Sequence, residues 1–287
     1  MSATAFHPER RHTLYLCEEN RAAAAAFLDT EVDMSSVQRH RISAREAPKQ
    51  YSVVAYVMHA VGRVLSNHPE VNAAIRGRMR PRVARYSMVS GKLTLDSSLN
   101  GRRVVLSTVI PSLDDASLDT IQEQVNHFRG GDPDTMPEYA RIRALHRLPT
   151  PLGRALFKLR TRSLRHRPEL IGTVAITSLG HRAVDSFHFV GGTAVTVGVG
   201  RVVDRAVVRG GEVTVAPMMR LSLAVDHRIV DSAEAADVLT ELKSRLETFT
   251  PDYQPPGFGT PAFGTPGHGA HGYGASAYGP GMRLRSP

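Results

Sequence analysis

The sequence predicts a mixed α/β fold, and three observations carry that prediction. Runs of alternating or continuous apolar residues recur at strand length, amphipathic stretches with apolar residues three and four apart separate them, and an Asn-Gly pair joins two of the strand-like runs. Several of these runs are long enough to feed antiparallel pairings. No internal repeat reaches the size of a domain.

In chain order, residues 1–22 are polar and basic and are expected to form a flexible N-terminal arm. "AAAAAFLDTEVDM" then passes from a helix-favouring alanine run into β-like alternation. "YSVVAYVMHAVGRVLSNHPEVNAAI" places Val54, Val57, Met58, Val61, Val64 and Leu65 at helical spacing, with His68-Pro69 ending the helix. "GKLTLDSSLNGRRVVLSTVI" is two strands joined at Asn100-Gly101, a hairpin signal. "LDDASLDTIQEQVNHF" is a second amphipathic helix, with Asp114 or Asp115 as its cap. "LIGTVAITSLG", "GTAVTVGVGRVV" and "GEVTVAPMMRLSLAVD" are strands, and "SAEAADVLTELKSRLETF" closes the series with Ala235, Leu239, Leu242, Leu246 and Phe249 on one helix face. Residues 251–287, Gly/Pro-rich with a doubled "FGTP", lack the branched aliphatics needed to offset the entropy of ordering. They are expected to be a disordered tail, with weak self-association or partner binding as the alternative.

Composition bounds the function classes. With 287 residues, 41% hydrophobic and 22% charged, the chain fits a soluble globular protein of one large domain or two small ones. No run approaches the ~20 apolar residues that cross a bilayer, and no apolar core with a small-residue cleavage site opens the chain. A single Cys17 cannot form an intrachain disulfide and fits a reducing compartment, so a cytoplasmic location is expected. The net charge of +9 is concentrated: Arg141 to Arg167 holds nine Lys or Arg and no acid, leaving the rest close to balance. A general nucleic-acid binder would spread its charge differently. Within that segment "PLGRALFKLRTRSLRHR" sets Leu152, Leu156 and Leu159, with Phe157 nearby, against arginines as a basic amphipathic helix. Packing on the core and attraction of an anionic partner (an acidic carrier, CoA phosphates or anionic lipid) are both open. Nucleic acid fits less well, because few aromatics are interleaved for base stacking.

Two hexamers differ at one position, "HRAVDS" at 181–186 and "HRIVDS" at 227–232. Histidine four residues before aspartate is common by chance, and the identity does not extend outward, so this is no duplication. The second copy has the more telling surroundings. It lies between a long strand and a helix, so a rigid sheet can aim His227 into a cleft. Asp231, with Glu234 three residues on, has a helix-capping arrangement.

"LSLAVDHRIVDSAEAADVLTELKSRLE" resembles the C-terminal signature of the dihydrolipoyl acyltransferases, the catalytic cores of 2-oxo acid dehydrogenase complexes, of which chloramphenicol acetyltransferase is a distant relative. "GTVAITSLG", "VGVGRVVDRAVVRGGEVTVAPMMRLSLAVDHR", "SVVAYVMHAVGRVLSNHPEVNAAI" and "TEVDMSSVQRHR" resemble further family segments, in order, over most of residues 25–250. The resemblance implies a chloramphenicol acetyltransferase-like two-layer sandwich with a mixed sheet, spanning residues 23–250 with a basic insertion at about 130–169. It also implies acyl transfer from a thioester to a thiol, hydroxyl or amine, with coenzyme A or acyl-CoA as substrate. His227 is then the general base and Thr177 the oxyanion stabiliser. Asp231 is an orienting and structural residue paired with an arginine, Arg228 being the nearest in sequence. The family works as trimers, so a homotrimer or larger trimer-based assembly is expected, with His227 and Thr177 meeting across an interface. His181, in the loop after the oxyanion strand, has no role in chemistry.

Two departures stand out. Ser232 replaces the family's glycine, which strains the turn if that position needs a positive φ and is harmless if it opens a helix. No lipoyl domain is recognisable, so no covalently bound lipoyl group is expected in this chain. A lipoyl or acyl carrier protein acting in trans, or a stand-alone acyltransferase, is expected instead. The competing reading is a non-catalytic trimeric or cage-forming scaffold of the same fold.

Overall fold

The computed structural model describes residues 6–77 and 79–251. Helix α1 (Arg11–Glu19) follows a short 3-10 turn; β1 (Ala25–Asp33), α2 (Ser35–Glu46), α3 (Val53–Asn67), β2 (Ala73–Arg76) and β3 (Arg82–Arg85) come next. The hairpin β4 (Gly91–Leu99) and β5 (Arg102–Ile110) leads to α4 (Leu118–Gly130), α5 (Ala140–Arg147), α6 (Thr150–Thr161) and α7 (Arg167–Ile171). The chain then runs through β6 (Val174–Ser178), β7 (Val195–Arg209) and β8 (Glu212–Asp226) to α8 (Ser232–Glu247). Six strands form one mixed sheet in the order β1-β8-β7-β6-β4-β5, and β2 and β3 pair separately. β6 runs parallel to both β4 and β7, and the other pairs are antiparallel. This is the mixed α/β fold that the sequence predicts.

Strand alternation gives the sheet two different faces. Leu93, Val174, Ile176, Val195, Val197, Leu221 and Leu223 point into the core, where α3 and α8 pack on them and on each other. The next residues in register, Lys92, Ala175, Thr177, Thr196 and Ser222, fall on the opposite face and are small or polar. Burying the first set removes its apolar area from water at roughly 25 cal/mol per Å². The second set is free to serve a site.

Local signals account for most boundaries. Asn100 and Gly101 both have positive φ (50° and 69°), the backbone of a tight hairpin turn whose twist matches that of its strands. Ser52 caps α3 through Ala55 N at 3.3 Å. α4 is capped by Ser117, whose hydroxyl accepts from Thr120 N at 3.1 Å, and not by Asp114 or Asp115. The cap must be the extended residue directly before the first turn, and Asp114 instead accepts from Val89 N at 2.8 Å. The alanine run did not stay helical: Ala25 and Ala26 belong to β1, opposite Asp226 and Val225, because pairing with β8 outweighs propensity.

Two expectations need larger corrections. Residues 8–22 are not a loose arm but a helical layer held to the domain. Tyr15 is buried and donates to the Thr150 carbonyl at 3.1 Å, and Arg11 donates to the carbonyls of His146 and Leu148 at 3.0 and 2.7 Å. An aromatic anchor and a guanidinium nitrogen that donates to two carbonyls offset the ordering cost of a short polar segment. The basic helix expected over residues 151–167 ends at Thr161, and of the two open readings for its leucines, packing on the core is not the outcome: Leu152, Leu156 and Leu159 are 55%, 37% and 66% exposed. α6 rests on Gly153, Phe157 and Thr161 instead, with Gly153 against the Tyr15 ring. Residues 252–287, most of the expected tail, lie outside the described residues.

Two predictions follow from this packing. A Cβ at Gly62 in α3 would sit 2.0 Å from the Leu113 carbonyl oxygen, so Gly62→Ala is expected to destabilise by about 1–3 kcal/mol in denaturant unfolding. The second concerns the pair under α1. His12 Nε2 must donate to the Val105 carbonyl (2.9 Å), so its Nδ1 accepts from His146 Nε2 (2.9 Å) and both rings are neutral. Burial first, then the neighbouring His12, hold His146 down to about 4. The unfolded chain therefore takes up the proton first, and this pair's contribution, full above about 6.5, is lost as pH falls toward 4. His146→Gln, which keeps the donor but does not titrate, is expected to lose less stability across that window in thermal melts.

Candidate active site

β8 delivers the second hexamer. Its last residue, Asp226, is tied to β7's entry by its N–H to the Ala194 carbonyl (2.9 Å), and the His227 N–H donates to Ala24 O before β1 (2.7 Å). The chain then reverses, with the amides of Ile229 and Val230 both donating to the Asp226 carbonyl (2.8 and 3.1 Å). His227 is exposed at this turn, and its Nδ1 lies 3.1 Å from the Val230 carbonyl oxygen. A carbonyl can only accept, so Nδ1 carries the hydrogen and Nε2 keeps its lone pair. The imidazole is thereby held in the tautomer of a proton acceptor.

Arg228, the arginine nearest to Asp231 in sequence, is engaged elsewhere. Arg228 pairs with Asp226, Nε to Oδ1 at 2.8 Å and Nη2 to Oδ2 at 2.5 Å, and does not reach Asp231. Asp226 is nearly buried, and a buried carboxylate needs a charged partner; the fork of a guanidinium two residues away fits it bidentately. Asp231 stands at the N-cap of α8 in extended conformation but makes no capping bond through its side chain, and no ion pair to it occurs among the described residues. Glu234 takes the acidic place in the first turn. Ser232 is the first residue of α8 and is not among the positive-φ positions, so the turn asks for no glycine there.

Thr177 lies in β6 between Thr94 of β4 and Gly198 of β7. It is buried, and its hydroxyl has no hydrogen-bond partner. A buried hydroxyl left unpaired costs free energy and calls for an explanation. The loop after β6 crosses the same face, where Ser222 Oγ donates to the Phe187 carbonyl at 2.5 Å and a Cβ on Gly198 would sit 2.2 Å from that hydroxyl. Within one chain Thr177 and His227 are not brought together. Thr177 is level with Ser222 on β8, and His227 lies five residues beyond, ~17 Å along the strand, with two strand spacings between them.

The first hexamer is structural. Its Asp185 accepts from Arg201 (2.5 Å) and Arg205 (3.3 Å), while His181 is exposed in the loop after β6.

A groove of about 1080 Å³ is lined by Asp226, Arg228 and Ile229 of the turn, although not by His227. Arg21, Lys158, Arg162 and Arg167 line it, and its acids are already engaged: Glu18 by Arg154, Glu19 by Arg76 and Asp226 by Arg228. Burial pulls the Arg167 guanidinium down from its ordinary value. Sequence reasoning singled out the basic segment but not which of its side chains face this groove, and it passed over Asp226. Both were signalled: Lys158 and Arg162 are one helical turn apart, and "LSLAVD" puts Ser222, Ala224 and Asp226 on one strand face.

Comparison with known proteins gives this geometry a setting. Residues 156–251 match the catalytic domain of the 2-oxoacid dehydrogenase acyltransferases. The acetyltransferase component of the Bacillus subtilis pyruvate dehydrogenase complex is 24% identical over 235 residues, covering 80% of this chain and 46% of that protein. The chain thus spans about half the length of that relative. A crystal structure of Azotobacter vinelandii dihydrolipoamide acetyltransferase, from a study of a catalytic serine, histidine and asparagine, superimposes with a TM-score of 0.66 at 18% identity, covering 86% of this chain and 92% of that one. The cubic core of the pyruvate dehydrogenase multienzyme complex superimposes with 0.63 at 18% identity over the same shares. The chain carries the fold of these acyltransferase cores, and its residues 156–251 are similar to the catalytic domain of the 2-oxoacid dehydrogenase acyltransferases.

Proposed function

We propose that this protein is an acyltransferase that moves an acyl group between a thioester and a thiol, hydroxyl or amine acceptor. His227 Nε2 takes the acceptor's proton as the acceptor attacks the thioester carbonyl. The carbonyl oxygen gains negative charge and receives a hydrogen bond from the Thr177 hydroxyl. The thiolate leaves as the tetrahedral intermediate collapses, and His227 returns the proton to it. The observation that carries this reading is the complementary pair of loose ends: an imidazole locked with Nε2 free and exposed, and a buried hydroxyl with no partner.

The pair is completed between subunits in a homotrimer or larger trimer-based assembly, with His227 of one copy facing Thr177 of the next. Support for this comes from the ~17 Å between them along one chain and from the likeness to an assembled cubic core. In the Azotobacter protein the named histidine and asparagine are four residues apart, the spacing of His227 and Asp231. Asp231 is assigned a structural part at the head of α8. The cationic groove suits the phosphates of coenzyme A or an acyl-CoA, since its lining acids are neutralised and Arg21, Lys158 and Arg162 have no carboxylate partner among the described residues. A lipoyl or acyl carrier protein acting in trans is the alternative donor. A cytoplasmic location belongs to the same reading. Ser232, one of the features that motivate the non-catalytic scaffold, opens a helix without strain and gives that reading no support.

Thiol release from a panel of acyl-CoA donors tests the proposal. His227→Ala is expected to lower the rate by about 10²–10⁴-fold, and His181→Ala to leave it unchanged. Thr177→Val is expected to cost about 10²–10³-fold while Thr177→Ser retains most activity. Co-assembling His227→Ala with Thr177→Val chains should restore about a quarter of the sites, since one in four interfaces joins two intact partners. No recovery in mixed assemblies of confirmed mass would overturn the shared site, and full activity in His227→Ala would overturn the reaction.

A further inference from the structure

Away from the cationic groove, α5, α6 and α7 roof a second cavity of about 550 Å³ at the β5 edge of the sheet. Its walls are mainly apolar, formed by Leu16, Phe128, Tyr139, Ile142, Leu145 and Phe157. Nothing in the acyl-transfer reading uses this space. Its size falls within the range of small-molecule pockets, and such pockets combine apolar walls with a few polar groups that orient the ligand.

Lys92 provides such a group. It lines the cavity from β4, on the sheet face opposite the core, and is 3% exposed. Its ammonium donates to the Gly191 carbonyl and has no carboxylate partner among the described residues. An ammonium has three donors, so two remain unused, and a buried cation without a counter-ion is costly. Burial first, then Arg167 nearby, bring it down to about 8. The other charged groups lining the cavity are committed or lie at its rim. His12 is bonded to His146 and Val105, Glu138 accepts from His127 at 2.8 Å, Glu169 lies 3.9 Å from His166, and Arg141 and Arg160 are exposed. The cavity thus offers apolar walls with one buried lysine, paired with no carboxylate among the described residues, in its lining.

We propose that this cavity is a binding site for a monocarboxylate with an unbranched acyl chain, the chain lying among the apolar walls and the carboxylate pairing with Lys92. The site is separate from the cationic groove, although the α6 segment lies between them: Lys158 and Arg162 line the groove while Leu156, Phe157 and Thr161 line the cavity. It does not rest on the acyl-transfer reading.

The probes are decanoate and decanol, titrated calorimetrically against the full chain. Decanoate is expected to bind more tightly than decanol. Lys92→Met, which replaces a buried cation with an apolar chain of similar length, is expected to weaken decanoate by at least about tenfold and leave decanol nearly unchanged. Ala144→Trp is expected to block both ligands by filling the chamber, and Ile142→Trp serves the same end should the first variant lose its unfolding transition. No decanoate binding at about 1 mM would overturn the site, as would binding that survives a folded filling variant. Equal affinity for decanoate in wild type and Lys92→Met would overturn the carboxylate assignment.

Discussion

The pairing of β8 on both of its edges is the constraint on which this structure depends. β1 covers Met218 to Asp226 from one side, and β7 covers much of the same length from the other. A strand held along two ladders has no freedom to slip, because a one-residue shift would turn Leu221, Leu223 and Val225 out of the core. The turn after Asp226 therefore starts at a fixed point. His227 inherits that point, and its own carbonyl partner at Val230 fixes the ring within it. The precision of the candidate base is thus a property of the sheet more than of the hexamer.

The two faces of that sheet divide the labour. One is filled by aliphatic side chains under α3 and α8 and supplies cohesion. The other carries Lys92, Thr177, Thr196 and Ser222, each buried and polar, and every such group needs a partner or a use. Ser222 and Thr196 find partners in the loop that crosses this face, at Phe187 and Gly191. Thr177 finds none, and Lys92 finds only one carbonyl.

Some of this was legible in the sequence. The 3.6-residue period of α3 and α8 and the two-residue period of the strands follow from short-range sterics, so they could be read directly, as could the Asn100-Gly101 turn. Caps were read less well, because Asp114 and Ser117 are equally good capping residues and only the path of the chain chooses between them. α1 was missed because its attachment depends on single contacts from Tyr15 and Arg11 to a segment more than 100 residues away. The covering of the α6 leucines stayed open because a periodic apolar stripe shows that a helix has an apolar side, not what covers it.

The sequence by itself determined the mixed α/β class and the strand-turn-helix that presents His227, since these are written in local pattern, while Thr177 was singled out only through the family resemblance. Only the tertiary structure decided that Arg228 holds Asp226 rather than Asp231, that the Thr177 hydroxyl is buried without a partner, and that Lys92 lies beneath an apolar cavity. It also decided that His227 and Thr177 stand far apart along one chain. These outcomes depend on strand order and register, which join residues distant in sequence through contacts that no short window contains.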